Sequence, residues 1–115
     1  MRTYELTFIL NPNLDEETVS AEIKKIEDQI KSLNGKVLEI QPLGLRSLTY
    51  EIKKHRQGNY ITIYYEAEPG VSTQIENTMK LNESILRFLT IVLRPSEYTR
   101  KEKEEKETPQ PESSE

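Results

Sequence analysis

Residues 36–67 read KVLEIQPLGLRSLTYEIKKHRQGNYITIYYEA. No helical period runs through them, and their apolar residues alternate instead. In YITIYYEA, Ile61, Ile63 and Tyr65 share one side, while Tyr60, Thr62 and Tyr64 share the other, the period-two pattern of a half-buried strand. The preceding part, 36–54, is rich in β-branched and alternating residues, with Pro42 and Gly44 marking a bend, bulge or edge position. The pattern predicts one long bent strand, a turn at HRQGN (55–59) and a second strand, together a hairpin. Leu48, Tyr50 and Ile52 alternate within the long strand and are expected to help pack the domain.

The flanks of the hairpin fix its setting. Upstream, Thr3–Leu10 alternates with Tyr4, Leu6, Phe8 and Leu10 on one face, which reads as another half-buried strand. NPNLDEETV then opens a helix: Asp15 suits the N-cap, Glu16 and Glu17 suit the positive end of the helix dipole, and Leu14 with Val19 can form a hydrophobic staple. Val19, Ile23, Ile26, Ile30 and Leu33 form one stripe, and Asn34-Gly35 supplies a left-handed stop. Downstream, Pro69-Gly70 enters a shorter helix carrying Val71, Ile75, Thr78 and Met79, and ILRFLTIVLR (85–94) reads as a last strand ending at Pro95. Strand, helix, strand, strand, helix, strand is an α+β order. It favours a split β-α-β arrangement, with a four-stranded antiparallel sheet that has both helices on one face and the other face bare.

A chain of 115 residues has room for one small domain. Residues 97–115 hold seven acidic and four basic side chains, two prolines and no aliphatic residue, so they read as a charged disordered tail behind a domain spanning 1–96. The absence of cysteine removes disulfides, thiolate metal sites and thiol nucleophiles together. The apolar run in MRTYELTFILNPN is too short for a signal peptide or a membrane span, so a soluble, cytoplasmic protein is expected.

Catalytic chemistry finds little to work with. One histidine, His55, cannot form a histidine metal cluster, and Glu51 and Glu66 lie among lysines and tyrosines without a ligand spacing. The four glycines are scattered, so no phosphate-cradling loop or nucleotide cofactor is implied. The split β-α-β fold also serves small acyl phosphatases, and Arg56 and Asn59 offer their residue types. Here, however, NPNLDEE puts acids where the anion would sit. No catalytic residue, metal ligand, cofactor or small-molecule substrate is expected.

The bare sheet face offers more. In the last strand Arg87 shares a side with Ile85, Leu89, Ile91 and Leu93, while Leu86, Phe88, Thr90 and Val92 share the other. Burying an unpaired arginine costs far more than burying Thr90, so Arg87's side is assigned to the open face. The aliphatic strip there, with Tyr60 and Tyr64 on the same face, is the kind of surface that takes a protein partner. Charge divides in the same way. The formal net charge is −4, yet the helix over 15–34 holds six acids and three bases, and Arg2, Arg46, Lys53, Lys54, Arg56 and Arg87 lie on strands or strand-adjoining turns. An acidic helix opposite a basic sheet edge and hairpin is the footprint of phosphate contact.

These residues resemble the bacterial small-subunit ribosomal protein family numbered six. The likeness runs through MRTYE, the NPNLDEE helix entry, LGLRSLTYEIKK, the QGNY segment and the closing strand, about residues 1 to 95. It implies a ferredoxin-like fold and a structural role in the small subunit. Such a protein would bind the central domain of 16S ribosomal RNA jointly with the small-subunit protein numbered eighteen. On this resemblance Arg2, Arg46, Lys53, Lys54, Arg56 and Arg87 would meet phosphates, and Tyr60, Tyr64, Leu89, Ile91 and Leu93 would face the partner protein. The family often carries a second basic residue after the arginine that Arg46 matches, where this chain has Ser47. The competing reading is a free-standing single-stranded RNA binder, since GNYITIYY loosely echoes the glycine and alternating aromatics of an RNA-recognition strand.

Overall fold

The computed structural model describes residues 1–94; the expected tail, 97–115, lies outside the described residues. The elements are β1 (Arg2–Leu10), α1 (Glu16–Ser32), β2 (Lys36–Ile52), β3 (His55–Ala67), α2 (Pro69–Lys80) and β4 (Ile85–Leu93). All pairings are antiparallel, in the order β2-β3-β1-β4, with β2 and β4 as the edges. This is the ferredoxin-like split β-α-β arrangement expected from the element order.

Helix α1 starts and stops as its sequence dictates. The Asp15 carboxylate accepts a hydrogen bond from the Thr18 backbone N–H at 2.8 Å, and Glu16 and Glu17 occupy the first turn. Hydrogen bonding from Thr18, through its hydroxyl and its backbone N–H, holds the Asp15 carboxyl below its ordinary value. The small stabilisation from this exposed cap is therefore present at neutral pH and is lost as acid protonates Asp15. At the other end Asn34 takes the left-handed position, with φ 67°. The N–H groups of Asn34 and Gly35 reach back to the carbonyls of Lys31 and Ile30 at 3.0 and 2.8 Å, a Schellman closure. Gly35 is needed for space: a Cβ there would lie 2.7 Å from Ile30 Cγ2 and 3.1 Å from the Glu66 carbonyl.

The core lies between the sheet and the two helices. Tyr4, Leu6, Phe8 and Leu10 of β1 and Ile61, Ile63 and Tyr65 of β3 meet Ile26 and Ile30 of α1 and Val71, Ile75 and Met79 of α2. Tyr4 and Tyr65, paired across β1 and β3, stack with centroids 5.2 Å apart. Burial, with smaller contributions from Tyr4 and Glu76, pushes the Tyr65 phenol far above its ordinary range, so it stays neutral. Glu22, buried on α1, accepts a hydrogen bond from the Asn82 side-chain amide at 2.6 Å and ties the helix to the turn before β4.

Two local expectations are corrected by geometry. The hairpin turn is Lys53-Lys54, and HRQGN belongs to β3. Lys53 and Lys54 have φ 49° and 70°, the doubly positive pattern of a tight two-residue hairpin turn. No glycine or asparagine announced it. In β4 the register slips between Ile9 and Leu10, so that Ile9 pairs with Arg87 and Leu10 with Ile85. The bulge reverses side-chain parity, and Ile85 joins the core instead of the open face.

Left-handed backbone is unfavourable for lysine and well tolerated by asparagine and glycine, so Lys53→Asn with Lys54→Gly is expected to raise stability by about 1 kcal/mol. Urea denaturation with an unchanged slope checks this, and a fall in the midpoint contradicts the assigned turn.

Candidate nucleic-acid and partner interface

On the face away from the helices, the strand register sets side chains in rows across β2, β3, β1 and β4. The rows are Lys36–Glu66–Thr3–Leu93, Glu39–Tyr64–Glu5–Ile91, Gln41–Thr62–Thr7–Leu89 and Gly44–Tyr60–Ile9–Arg87. Beyond the last row Arg46 stands opposite Gly58. The face is graded in charge: three carboxylates occupy the first two rows, hydroxyls the third and arginines the far end. At the centre the Thr7 and Thr62 hydroxyls bond to one another at 3.0 Å, satisfying each other where strand–strand packing limits water.

The hairpin bends back over the arginine end. Between the pairs Ser47–Gln57 and Ile52–His55, β2 runs through residues 48–51 while β3 supplies only Arg56. That surplus bends the strand out of the sheet plane. The bend seats the Gly58 backbone on Ile9: a Cβ at Gly58 would collide with Ile9 Cγ2, with Leu48 Cδ2 also in contact. Leu48, Tyr50 and Ile52 therefore look across a cleft of about 700 Å³ toward Ile9, Tyr60, Arg87, Leu89 and Ile91. Tyr50, expected to pack the domain, is 78% exposed at the rim of this cleft, because β2 has left the sheet before reaching it.

The expected RNA-contacting residues divide by position. Arg46 and Arg87 lie at one end of the open face, and Lys53, Lys54 and Arg56 lie on the hairpin that projects there. Arg2 stands at the opposite end of β1, across from Ala67, with the parity of the core-facing Tyr4 and Leu6. Arg56 pairs with Glu51 at 3.7 Å, and both side chains are largely exposed, so the pair holds its charge only weakly. Among the described residues, Arg46, Lys53, Lys54 and Arg87 have no carboxylate within ion-pair distance. Arg87 is exposed and the Thr90 hydroxyl is buried, the choice of faces that the desolvation argument required.

The expected partner strip is only partly accessible. Leu89 and Ile91 are 61% and 44% exposed and line the cleft with half-buried Tyr60, whereas Tyr64 and Leu93 are 4% and 6% exposed. Strand parity gives the face on which a side chain stands, not what lies over it. Sequence reasoning also missed Ile9 and Gly58, the contact that shapes the cleft. The available signal was the excess length of the 36–52 strand over its partner. Among the described residues no cluster of His, Cys, Asp and Glu is arranged to hold a metal, and no helix is long and apolar enough to cross a membrane.

The model of the family described as Ribosomal protein S6 matches residues 3–92. This chain belongs to that family. Small ribosomal subunit protein bS6 of Helicobacter acinonychis (strain Sheeba) is 41% identical over 91 residues, which cover 79% of this chain and 64% of that protein. The bS6 protein of Campylobacter concisus (strain 13826) is 37% identical over 91 residues, covering 79% and 66%. The chain thus spans slightly under two thirds of the length of these relatives. The crystal structure of 30S ribosomal protein S6 from Thermotoga maritima superposes with a TM-score of 0.78 at 28% identity, covering 91% of this chain and 97% of that one.

Gly58→Ala is expected to destabilise the protein by about 1–3 kcal/mol by forcing Ile9 or the hairpin to move. In an Ile9→Ala background the same substitution should cost much less, because the obstructing methyl is gone. A double-mutant cycle by chemical denaturation measures this, and additive effects would mean that the hairpin does not rest on Ile9.

Proposed function

We propose that the chain is a structural constituent of the small ribosomal subunit, acting on the cytoplasmic ribosome without a catalytic step. In this reading it binds the central domain of 16S ribosomal RNA jointly with the small-subunit protein numbered eighteen. The observation that carries the proposal is the graded open face, where unpaired basic side chains and an exposed aliphatic strip meet at one cleft. Among the described residues Arg46, Arg87, Lys53 and Lys54 have no carboxylate within ion-pair distance, which suits them to contact phosphate oxygens and release the counterions around them. Leu89 and Ile91 beside them gain by being covered, which favours a protein surface over RNA alone. Neither contribution is large by itself. Affinity then depends on both surfaces being engaged together.

The free-standing single-strand reading fares worse. It needs an aromatic platform on the sheet, and of the two tyrosines that the strands set there Tyr64 is buried and Tyr60 is half-buried beside Thr7 and Ile9, while exposed Tyr50 stands across the cleft on the hairpin.

Binding to the RNA in the presence of the partner is expected to weaken with salt. Arg46→Ala and Arg87→Ala should each lower the magnitude of the log–log salt slope by about 0.7–0.9 for every phosphate contact removed. Leu89→Glu with Ile91→Glu should leave binding by the chain alone little changed and abolish the gain on adding the partner. Salt slopes that do not respond to either arginine, or a partner effect that survives both glutamates, would overturn the assignment.

A further inference from the structure

The cleft under the hairpin has an aromatic ring on each wall and a cationic end. On the sheet side stand Ile9, half-buried Tyr60 and exposed Arg87. The facing wall is the hairpin, where Tyr50 lies in the surplus of β2 between the pairs Ser47–Gln57 and Ile52–His55. Tyr50 is 78% exposed, so a large ring stands at the mouth of an apolar space with little of its surface covered. The close approach of Gly58 to Ile9 holds the two walls together, and a ligand entering between them has little backbone to order.

The lining limits what can enter. A volume of about 700 Å³ falls within the range of small-ligand sites. Ile9, Leu48 and the two tyrosine rings favour a flat apolar or aromatic group, and the Thr49 hydroxyl can hydrogen-bond to its edge. Arg87 has no carboxylate within ion-pair distance among the described residues, so an aliphatic plug would cover its guanidinium without compensation. A ligand that carries its own anion removes that cost. Glu5, the one carboxylate among the described lining residues, stands two rows from Arg87, which keeps the anion at the arginine end. A ring joined to a phosphate meets each of these requirements, and RNA supplies one as an unstacked nucleotide.

We propose that the cleft is a slot for one unpaired nucleotide of the RNA, its base stacked against Tyr50 and Tyr60 and its phosphate on Arg87. Lys53 and Lys54 at the hairpin tip and Arg46 on β2 then meet the phosphates on either side of it. One slot is not the row of rings that a free-standing strand binder needs: it fixes a single base and leaves the remaining strand to ionic contact. Leu89 and Ile91, toward the other end of the cleft, stay available to the partner protein. This inference rests on the RNA-binding reading and narrows it to one nucleotide at a named place.

Titration of the full chain with adenosine monophosphate at low salt, followed by NMR of the backbone amides, tests it. The expected result is saturable shifts at Ile9, Tyr50, Tyr60 and Arg87, with ribose phosphate, which lacks the base, binding at least about fivefold more weakly. Tyr50→Ala should weaken the nucleotide by about five- to hundredfold, whereas Tyr50→Phe, which keeps the ring, should bind it as the parent does. Absence of saturable shifts, equal binding of ribose phosphate and nucleotide, or an unchanged affinity in Tyr50→Ala would overturn the proposal. N-acetyltyrosine amide is the protein-side probe, and its binding at these amides in place of the nucleotide would also overturn it and assign the cleft to a side chain of the partner. The salt slope of Arg46→Ala involves neither ring, so the slot and the RNA-binding reading hold or fail separately.

Discussion

The rest of the open face depends on the contact between the Gly58 backbone and the Ile9 side chain. Without a Cβ at Gly58, β3 comes down onto β1's outward-facing isoleucine, and the surplus of residues in β2 folds over with it. A flat, fully open sheet would leave Ile9, Tyr60 and Leu89 as scattered apolar residues on a wet surface. The bend gathers them into a cleft and brings the hairpin's lysines to the end of the sheet that carries Arg46 and Arg87. Electrostatics and shape are coupled through one steric allowance, and the cost of the bend is borne by three irregularities in β2 and two left-handed lysines.

The two faces of the sheet divide the work. The helix side holds the stacked tyrosines, the aliphatic stripe of α1 and the Glu22–Asn82 bond, and it contributes stability. The open side is polar along its middle and graded from carboxylates to arginines, which is poor design for a core and suitable for recognition. Its threonine pair keeps the central strands satisfied without attracting either sign of charge. The chain of this ribosomal protein S6 family member thus has a rigid back and a chemically asymmetric front.

Much of this was legible in the sequence because it rests on local rules. The α1 boundaries follow from Asp15 and Asn34, the core face of β1 from strict alternation, and the side of β4 that faces out from the cost of burying Arg87. What escaped was non-local or sterically unusual. The Lys53-Lys54 turn carries no turn residue, and its conformation is imposed by the strands on either side. Ile85 changed faces because a bulge is a property of pairing, not of composition. Tyr64 and Leu93 stand on the face that parity predicted but are buried there, since alternation along a strand gives the face of a side chain and not its exposure.

Cross-link mapping on the intact assembly tests the central claim most directly. Ultraviolet cross-linking of the chain bound to small-subunit RNA with its partner, followed by mass spectrometry of the linked peptides, reports which surface meets the nucleic acid. The account predicts RNA cross-links in peptides containing Arg46, Lys53–Arg56 and Arg87, and protection of Leu89 and Ile91 by the partner. RNA cross-links confined to the outer faces of the two helices, 16–32 and 69–80, would contradict it.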